Sequence, residues 1–182
     1  MDINYSVEGG FLMRKIIFVF AFVLLLSGCS NVSNVTPQEV AGVYNGDFTA
    51  EARAVFGDNE AEMSVVKNRM SISISVISPA ELEGMGIEIF DEHAKISYEG
   101  MEQEIKKDSL PEGTPFLLLE KLFDELSDPE DFTLSTENGN LTAKGEDFSA
   151  VLSAEDFSVI SAKFPVFETE FAFSKFEFKS AE

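Results

Sequence analysis

The chain's one thiol, Cys29, stands at the end of Leu26-Ser27-Gly28-Cys29 and directly follows an apolar run from Ile16 to Leu26. A thiolate is a nucleophile and a metal ligand, so its setting decides which chemistry is open to it. Here Met13-Arg14-Lys15 gives a positive start, the apolar run follows, and small residues lead into the cysteine. That order is a secretory signal with its cleavage site at the cysteine. The run of eleven apolar residues makes about 16 Å of helix against a roughly 30 Å hydrocarbon core, so it is a cleaved segment and not a membrane span. The other reactive groups form no comparable arrangement. His93, the only imidazole, lies beside Asp91 and Glu92 in what reads as a solvated turn between strands. Glu102/Glu104 and Glu168/Glu170 are paired carboxylates on a common strand face, but acid–base work needs burial and separated pKa values. Ser71, Ser73 and Ser75 form a hydroxyl row with no base nearby in sequence, and Gly84-x-Gly86 lacks a following helix. The turn at Gly57-Asp58-Asn59-Glu60 lacks calcium-loop spacing. The sequence predicts no catalytic residue, no metal site and no cofactor, and hence not an enzyme.

Leu26-Ser27-Gly28-Cys29 resembles the lipobox of bacterial lipoproteins, in which the cysteine is diacylated and becomes the new N-terminus. The resemblance implies a covalent diacylglycerol and acyl (palmitate-type) modification on Cys29, and a membrane as partner through that lipid. It also leaves the folded part without a thiol, which excludes disulfides, thiol catalysis and thiolate metal sites. Residues 1–12 contain Asp2 and Glu8, which suit a signal's n-region poorly, and read as an upstream-start extension. The expected organisation is then a signal peptide at 13–28, a lipidated N-terminus and tether at 29–39, and one domain at 40–182. Cleavage leaves about 150 residues, the size of one domain with a proper core. It removes two bases and two acids, so the mature chain keeps the net charge of −20. A chain this acidic offers no surface to nucleic acid and does not lie flat on anionic lipid. Attachment falls to the lipid, and several acyl chains make it durable. The expected location is extracytoplasmic: the outer face of the membrane in a monoderm, or the outer membrane in a diderm, which Ser30 permits.

Thr36 and Pro37, with Glu39 third in line, predict a capped helix from Pro37 to about Tyr44. Beyond it the period is two. Phe48, Ala50, Ala52, Ala54 and Phe56 share one face of a strand, and Met70, Ile72, Ile74 and Val76 one face of another. Ala61 to Asn68 reads as the strand between them. Shorter strands are expected at Ile87–Phe90, Ala94–Tyr98 and Glu102–Lys106. One helix interrupts them, capped by Thr114 and Pro115, with Phe116, Leu119, Leu122, Phe123 and Leu126 as its apolar stripe. A Phe-rich meander closes the chain, with a hairpin at Asn138-Gly139. In its last strand Phe171 and Phe173 fall in one phase and Phe176 and Phe178 in the other, which predicts a bulge at Ser174-Lys175.

Nearly all connections are short, so the strands are antiparallel. A sheet of about nine to eleven strands twists and must curl over something to bury its apolar face. The predicted fold is mostly β (α+β): a single curved antiparallel sheet forming a half-open barrel, covered by one or two helices. An apolar cavity inside it is expected to be lined by Phe48, Ala50, Ala52, Met70, Ile72, Ile74, Phe116, Leu119 and Phe123. The order of elements, with Ser78-Pro79, Leu82, Gly84 and Ile87 and then Ile96 to Gly100, resembles the LolA/LolB-type lipoprotein-carrier superfamily. The likeness is strongest to its lipid-anchored, GerS-like members from Gram-positive bacteria. It implies a half-barrel whose members bind acyl chains of lipids or lipoproteins, or dock partner proteins. The family's gating arginine has no counterpart here, since Arg53 lies opposite the Phe48–Phe56 face. Two readings stay open: a tethered, non-enzymatic module that holds an acyl chain, and an envelope interaction module that docks or regulates a cell-wall or sporulation/germination enzyme. Under both, Cys29→Ser abolishes incorporation of labelled palmitate and moves the protein out of the membrane fraction. Labelled, membrane-bound Cys29→Ser protein would place the anchor elsewhere.

Overall fold

The folded domain opens on a capping box. Helix α1 (Pro37–Tyr44) has Pro37 at its first position and Glu39 at its third. The Thr36 backbone donates to Glu39 Oε2 at 2.8 Å, and the Glu39 backbone donates to Thr36 Oγ1 at 3.3 Å. Two of the helix's orphan donors are thereby satisfied. Val40, Ala41 and Tyr44 are buried, so Pro37–Glu39, expected in the tether, belong to a helix of the domain. The computed structural model describes residues 35–137 and 139–179. The upstream extension, the signal peptide, Cys29 and the tether as far as Asn34 lie outside the described residues.

Eleven strands form one antiparallel sheet. They are β1 (Phe48–Phe56), β2 (Asn59–Lys67), β3 (Ile72–Ser78), β4 (Gly86–Ile89), β5 (His93–Tyr98) and β6 (Met101–Lys106), then β7 (Thr133–Glu137), β8 (Asn140–Lys144), β9 (Ser149–Leu152), β10 (Val159–Phe164) and β11 (Thr169–Phe178). The order across the sheet is β6-β5-β4-β3-β2-β1-β11-β10-β9-β8-β7. The first and last strands pair in the middle, and β6 and β7 are the two edges. Helix α2 (Pro115–Ser127) lies between β6 and β7 in sequence, so it is carried across the apolar face from one edge toward the other. The result is the predicted half-open barrel with two helices.

The alternation expected of β1 is seen. Phe48, Ala50, Ala52 and Ala54 are at most 3% exposed, and Arg53 faces out to Glu60. The bulge is also where the phase change required it. Thr49 pairs with Glu177 but Glu51 pairs with Ser174, and Lys175 takes a left-handed φ of 49°. The extra residue turns Phe176 and Phe178 to the side that Phe171 and Phe173 already occupy. Asn138 lies outside the described residues, while Gly139 beside it has φ 84°, a conformation that suits glycine in a hairpin turn.

Four local expectations differ from the structure. Met70 is 77% exposed. Asn68 Oδ1 accepts from the backbones of Met70 at 2.8 Å and Ser71 at 3.0 Å, so a side-chain-bonded turn delays the strand to Ile72. Thr114 precedes α2 but makes no side-chain cap bond. His93 opens β5 instead of lying in a turn. In α2 the buried stripe is Leu118, Leu119, Leu122, Phe123 and Leu126, with Phe116 only half-buried.

An aromatic cluster fills the space where α1, α2 and the β1–β11 pair meet. Phe48 and Phe123 have ring centroids 4.7 Å apart at 62°, Phe48 and Phe176 5.0 Å, and Tyr44 and Phe178 5.5 Å. Such edge and offset contacts add to the burial of each ring. The Tyr44 hydroxyl donates to the Phe157 carbonyl at 2.6 Å, so its polar end is satisfied. Truncation of a ring wholly buried in such a cluster costs about 3–5 kcal/mol. Phe123→Ala is expected to lose that much in urea unfolding, and Phe116→Ala less than half of it.

Candidate functional site

Most residues expected to line a cavity do converge on the concave face. Phe48, Ala50, Ala52, Ile72 and Ile74 from the sheet, and Leu119 and Phe123 from α2, are each at most 3% exposed. They converge as packed side chains, with Phe123 in contact with Phe48, Phe173 and Tyr44. Phe116 reaches this layer only in part, and Met70 is outside it.

Open space lies instead on the flank of α2. A groove of about 450 Å³ is lined by Leu117, Leu118, Glu120, Lys121, Asp124 and Glu125 from the helix. Its other walls are Lys107, which opens the 3₁₀ turn after β6, Glu112 and Gly113 before the helix, Asp147, and Phe167 at the end of the 3₁₀ turn Pro165–Phe167. Gly113 is what lets two of these walls touch. It has φ 79°, and a Cβ there would stand 2.4 Å from Phe167 Cδ1. Buried Thr114 Oγ1, next in the chain, has no hydrogen-bond partner among the described residues.

Ion pairs tie α2 to both sides of the groove. Lys107 binds Glu120, and Lys121 binds Asp147 and, at 3.6 Å, Glu125. Asp124 is one turn beyond Glu120 on the helix. Partial burial together with the neighbouring Glu120 carboxylate pushes Asp124 up to about 7, against opposition from Lys67 and Lys107. The neighbouring Glu120 carboxylate disfavours the ionised form of Asp124. Glu120, Lys121, Asp124 and Glu125 lie on the side of the helix away from its apolar stripe. The i,i+4 spacing of Glu120 and Asp124 was legible as like-charge crowding, but the turns that close over them come from distant sequence.

The remaining chemical candidates stay apart. His93 stacks on Phe90 at 4.5 Å. Glu102 bridges Lys95 and Glu170 bridges Lys163, both pairs exposed on the sheet at 2.8 Å. Glu168 is in a left-handed turn (φ 48°) and does not share a strand with Glu170. Ser71 donates to Glu88 at 2.9 Å, whereas Ser73 and Ser75 lie on β3 beside Glu88 and Gly86 of β4. Among the described residues no three His, Asp or Glu side chains are placed to hold a metal ion.

Residues 13–30 match the prokaryotic membrane lipoprotein lipid attachment site. The chain carries a lipoprotein lipid-attachment site. That site implies a lipid-attached, extracytoplasmic protein. No curated protein sequence matches this lipoprotein. Among solved structures, an uncharacterized conserved protein from Thermus thermophilus aligns with a TM-score of 0.52 at 10% identity, over 79% of this chain and 85% of its own. A LolA superfamily protein from Nitrosomonas europaea aligns at 0.41 and 10% identity, over 82% and 96%. A chain in the structure of the CwlD amidase from Clostridioides difficile in complex with the GerS lipoprotein aligns at 0.45 and 14% identity, over 98% and 100%. At these identities the likeness concerns fold alone, a fold in keeping with the half-barrel read from the sequence.

The Asp124–Glu120 pair gives the lipoprotein a pH signature. Between the ordinary carboxyl value of 3.8 and about 7, the native state holds a proton on Asp124 that the unfolded chain has released. Stability from this site therefore falls as pH rises through that window. Asp124→Asn is expected to gain stability over the parent at pH 8 and little at pH 5 in urea unfolding. An equal difference at both pH values would rule out the proton held on Asp124.

Proposed function

We propose that this lipoprotein is a membrane-tethered interaction module that docks an envelope protein, with no chemistry of its own. The observation that supports the reading is the filling of the concave face. Phe48, Phe123 and Tyr44, where an acyl chain would lie, touch one another and are wholly buried. Acyl-chain holding, the first of the two expectations, would require these rings to move apart. The open groove is instead on the outer flank of α2, where a protein surface can reach it without disturbing the core.

The anchor narrows the class of partner. Six residues lie between Cys29 and the Thr36 cap, a reach of about 25 Å even when fully extended. The partner is therefore a membrane protein or an envelope enzyme working close to the membrane, on the outer face in a monoderm. A cell-wall hydrolase fits that position.

Two measurements separate the readings. Native mass spectrometry of the chain from Ser30 onward is expected to show protein without bound lipid. In-cell cross-linking of the lipidated chain is expected to yield one defined protein adduct, present with wild-type Cys29 and reduced in Cys29→Ser. A stoichiometric acyl lipid in the native spectrum would overturn the interaction reading in favour of ligand holding.

A further inference from the structure

We propose that the groove along α2 is the docking site for a cationic amphipathic helix of the protein partner, one that carries Lys or Arg beside apolar residues. This rests on the interaction-module reading and adds to it the place and the chemistry of contact. The groove runs from Leu117 to Glu125, a rise of about 12 Å, which is two turns of a helix lying alongside. A short helical segment fits that trench.

The lining selects the kind of segment. Leu117, Leu118 and Phe167 are apolar, and Val166 beside Phe167 is 74% exposed, so the apolar strip continues onto the surface. Around it stand five carboxylates, Glu112, Glu120, Asp124, Glu125 and Asp147, against two ammonium groups, Lys107 and Lys121. Both ammonium groups are already bound, Lys107 to Glu120 and Lys121 to Asp147 and Glu125. Glu112 has no ion-pair partner among the described residues, whereas Asp124, pushed up to about 7, is only partly ionised near neutral pH. An apolar strip with spare negative charge on its rim is complementary to long side chains that lay a methylene stem on Leu117 or Phe167 and place a cation at the rim. The half-buried Phe167 ring favours such a cation further. The same charges repel anionic lipid headgroups, which sets a membrane surface aside as occupant.

The test uses the chain from Ser30 onward, whose core is built wholly from residues between Val40 and Phe171. The probe is a fluorescein-labelled synthetic peptide of Leu and Lys with its Leu residues on one helical face, and a control peptide of the same composition with them dispersed. Anisotropy titration at about 0.15 M salt, where long-range attraction is largely screened, is expected to give saturable binding of the amphipathic peptide and at least about tenfold weaker binding of the control. Glu112→Lys and Leu117→Ser should each weaken the amphipathic peptide by about tenfold, whereas Glu62→Lys, the same charge change on the sheet, should alter it by less than about twofold. Glu112 is exposed, so its variant remains informative if Leu117→Ser unfolds. Equal losses in Glu112→Lys and Glu62→Lys would overturn the groove as the site and leave the interaction module standing. Binding to phosphatidylglycerol vesicles that Leu117→Ser abolishes would likewise overturn the proposal, in favour of a membrane. A stoichiometric lipid in native spectra bears instead on the module reading itself, whatever the peptide does.

Discussion

The architecture depends on one pairing, β1 with β11. It joins the chain's first and last strands in the middle of the sheet and leaves β6 and β7, neighbours in sequence, at opposite edges. The segment between them has to travel the full width of the sheet. Across the apolar face that passage needs a chain that satisfies its own backbone, and a helix does so while presenting an apolar stripe. Helix α2 is thus required by the topology as much as by its own sequence. Phe123 of the helix meets β1 at Phe48, and Ala50, Ala52 and Ala54 are buried on that same face of the strand.

Much of this was legible because it rests on short-range periodicity. The alternation of β1 and β3, the stripe of α2, the capping box at Thr36 and the phase change that demands a bulge near Lys175 each follow from residues close in sequence. The misreadings share a cause too. Met70 continues a perfect alternation, but the local bonds of Asn68 outcompete one more rung of sheet. Thr114 has the right residue type for a cap and the wrong geometry. Leu118 displaces Phe116 from the stripe because the sheet, not the helix alone, decides which face is covered. The groove was the least legible feature. It is assembled from Lys107, Asp147 and Phe167, which no local pattern brings together, and from a glycine whose lack of a side chain matters only because Phe167 is there.

Charge is arranged with the same economy. Lys95, Lys107, Lys121, Lys144, Lys163 and Lys175 each have a carboxylate partner, and Arg53 is held by Glu60. Exposed pairs of this kind add little stability. Their larger effect is on the field of the molecule, because pairing spends the few cations locally and leaves the surplus of acid uncompensated. A domain with a net charge of −20 is pushed away from other anionic surfaces and attracts cationic ones over a range set by salt.

The capping box at Thr36 also sets a length scale. The cap at Thr36 stands seven positions after Cys29, so a lipid on that cysteine would hold the domain within a thin layer above the bilayer instead of the whole extracytoplasmic volume. Confinement of two molecules to such a layer raises their effective concentration toward the millimolar range. An affinity too weak to survive purification is then enough for near-complete occupancy in place. For the proposed interaction module, the number of residues between Cys29 and Thr36 would then act as a term in the binding equilibrium, and lengthening that stretch would dilute the interaction without touching a single contact.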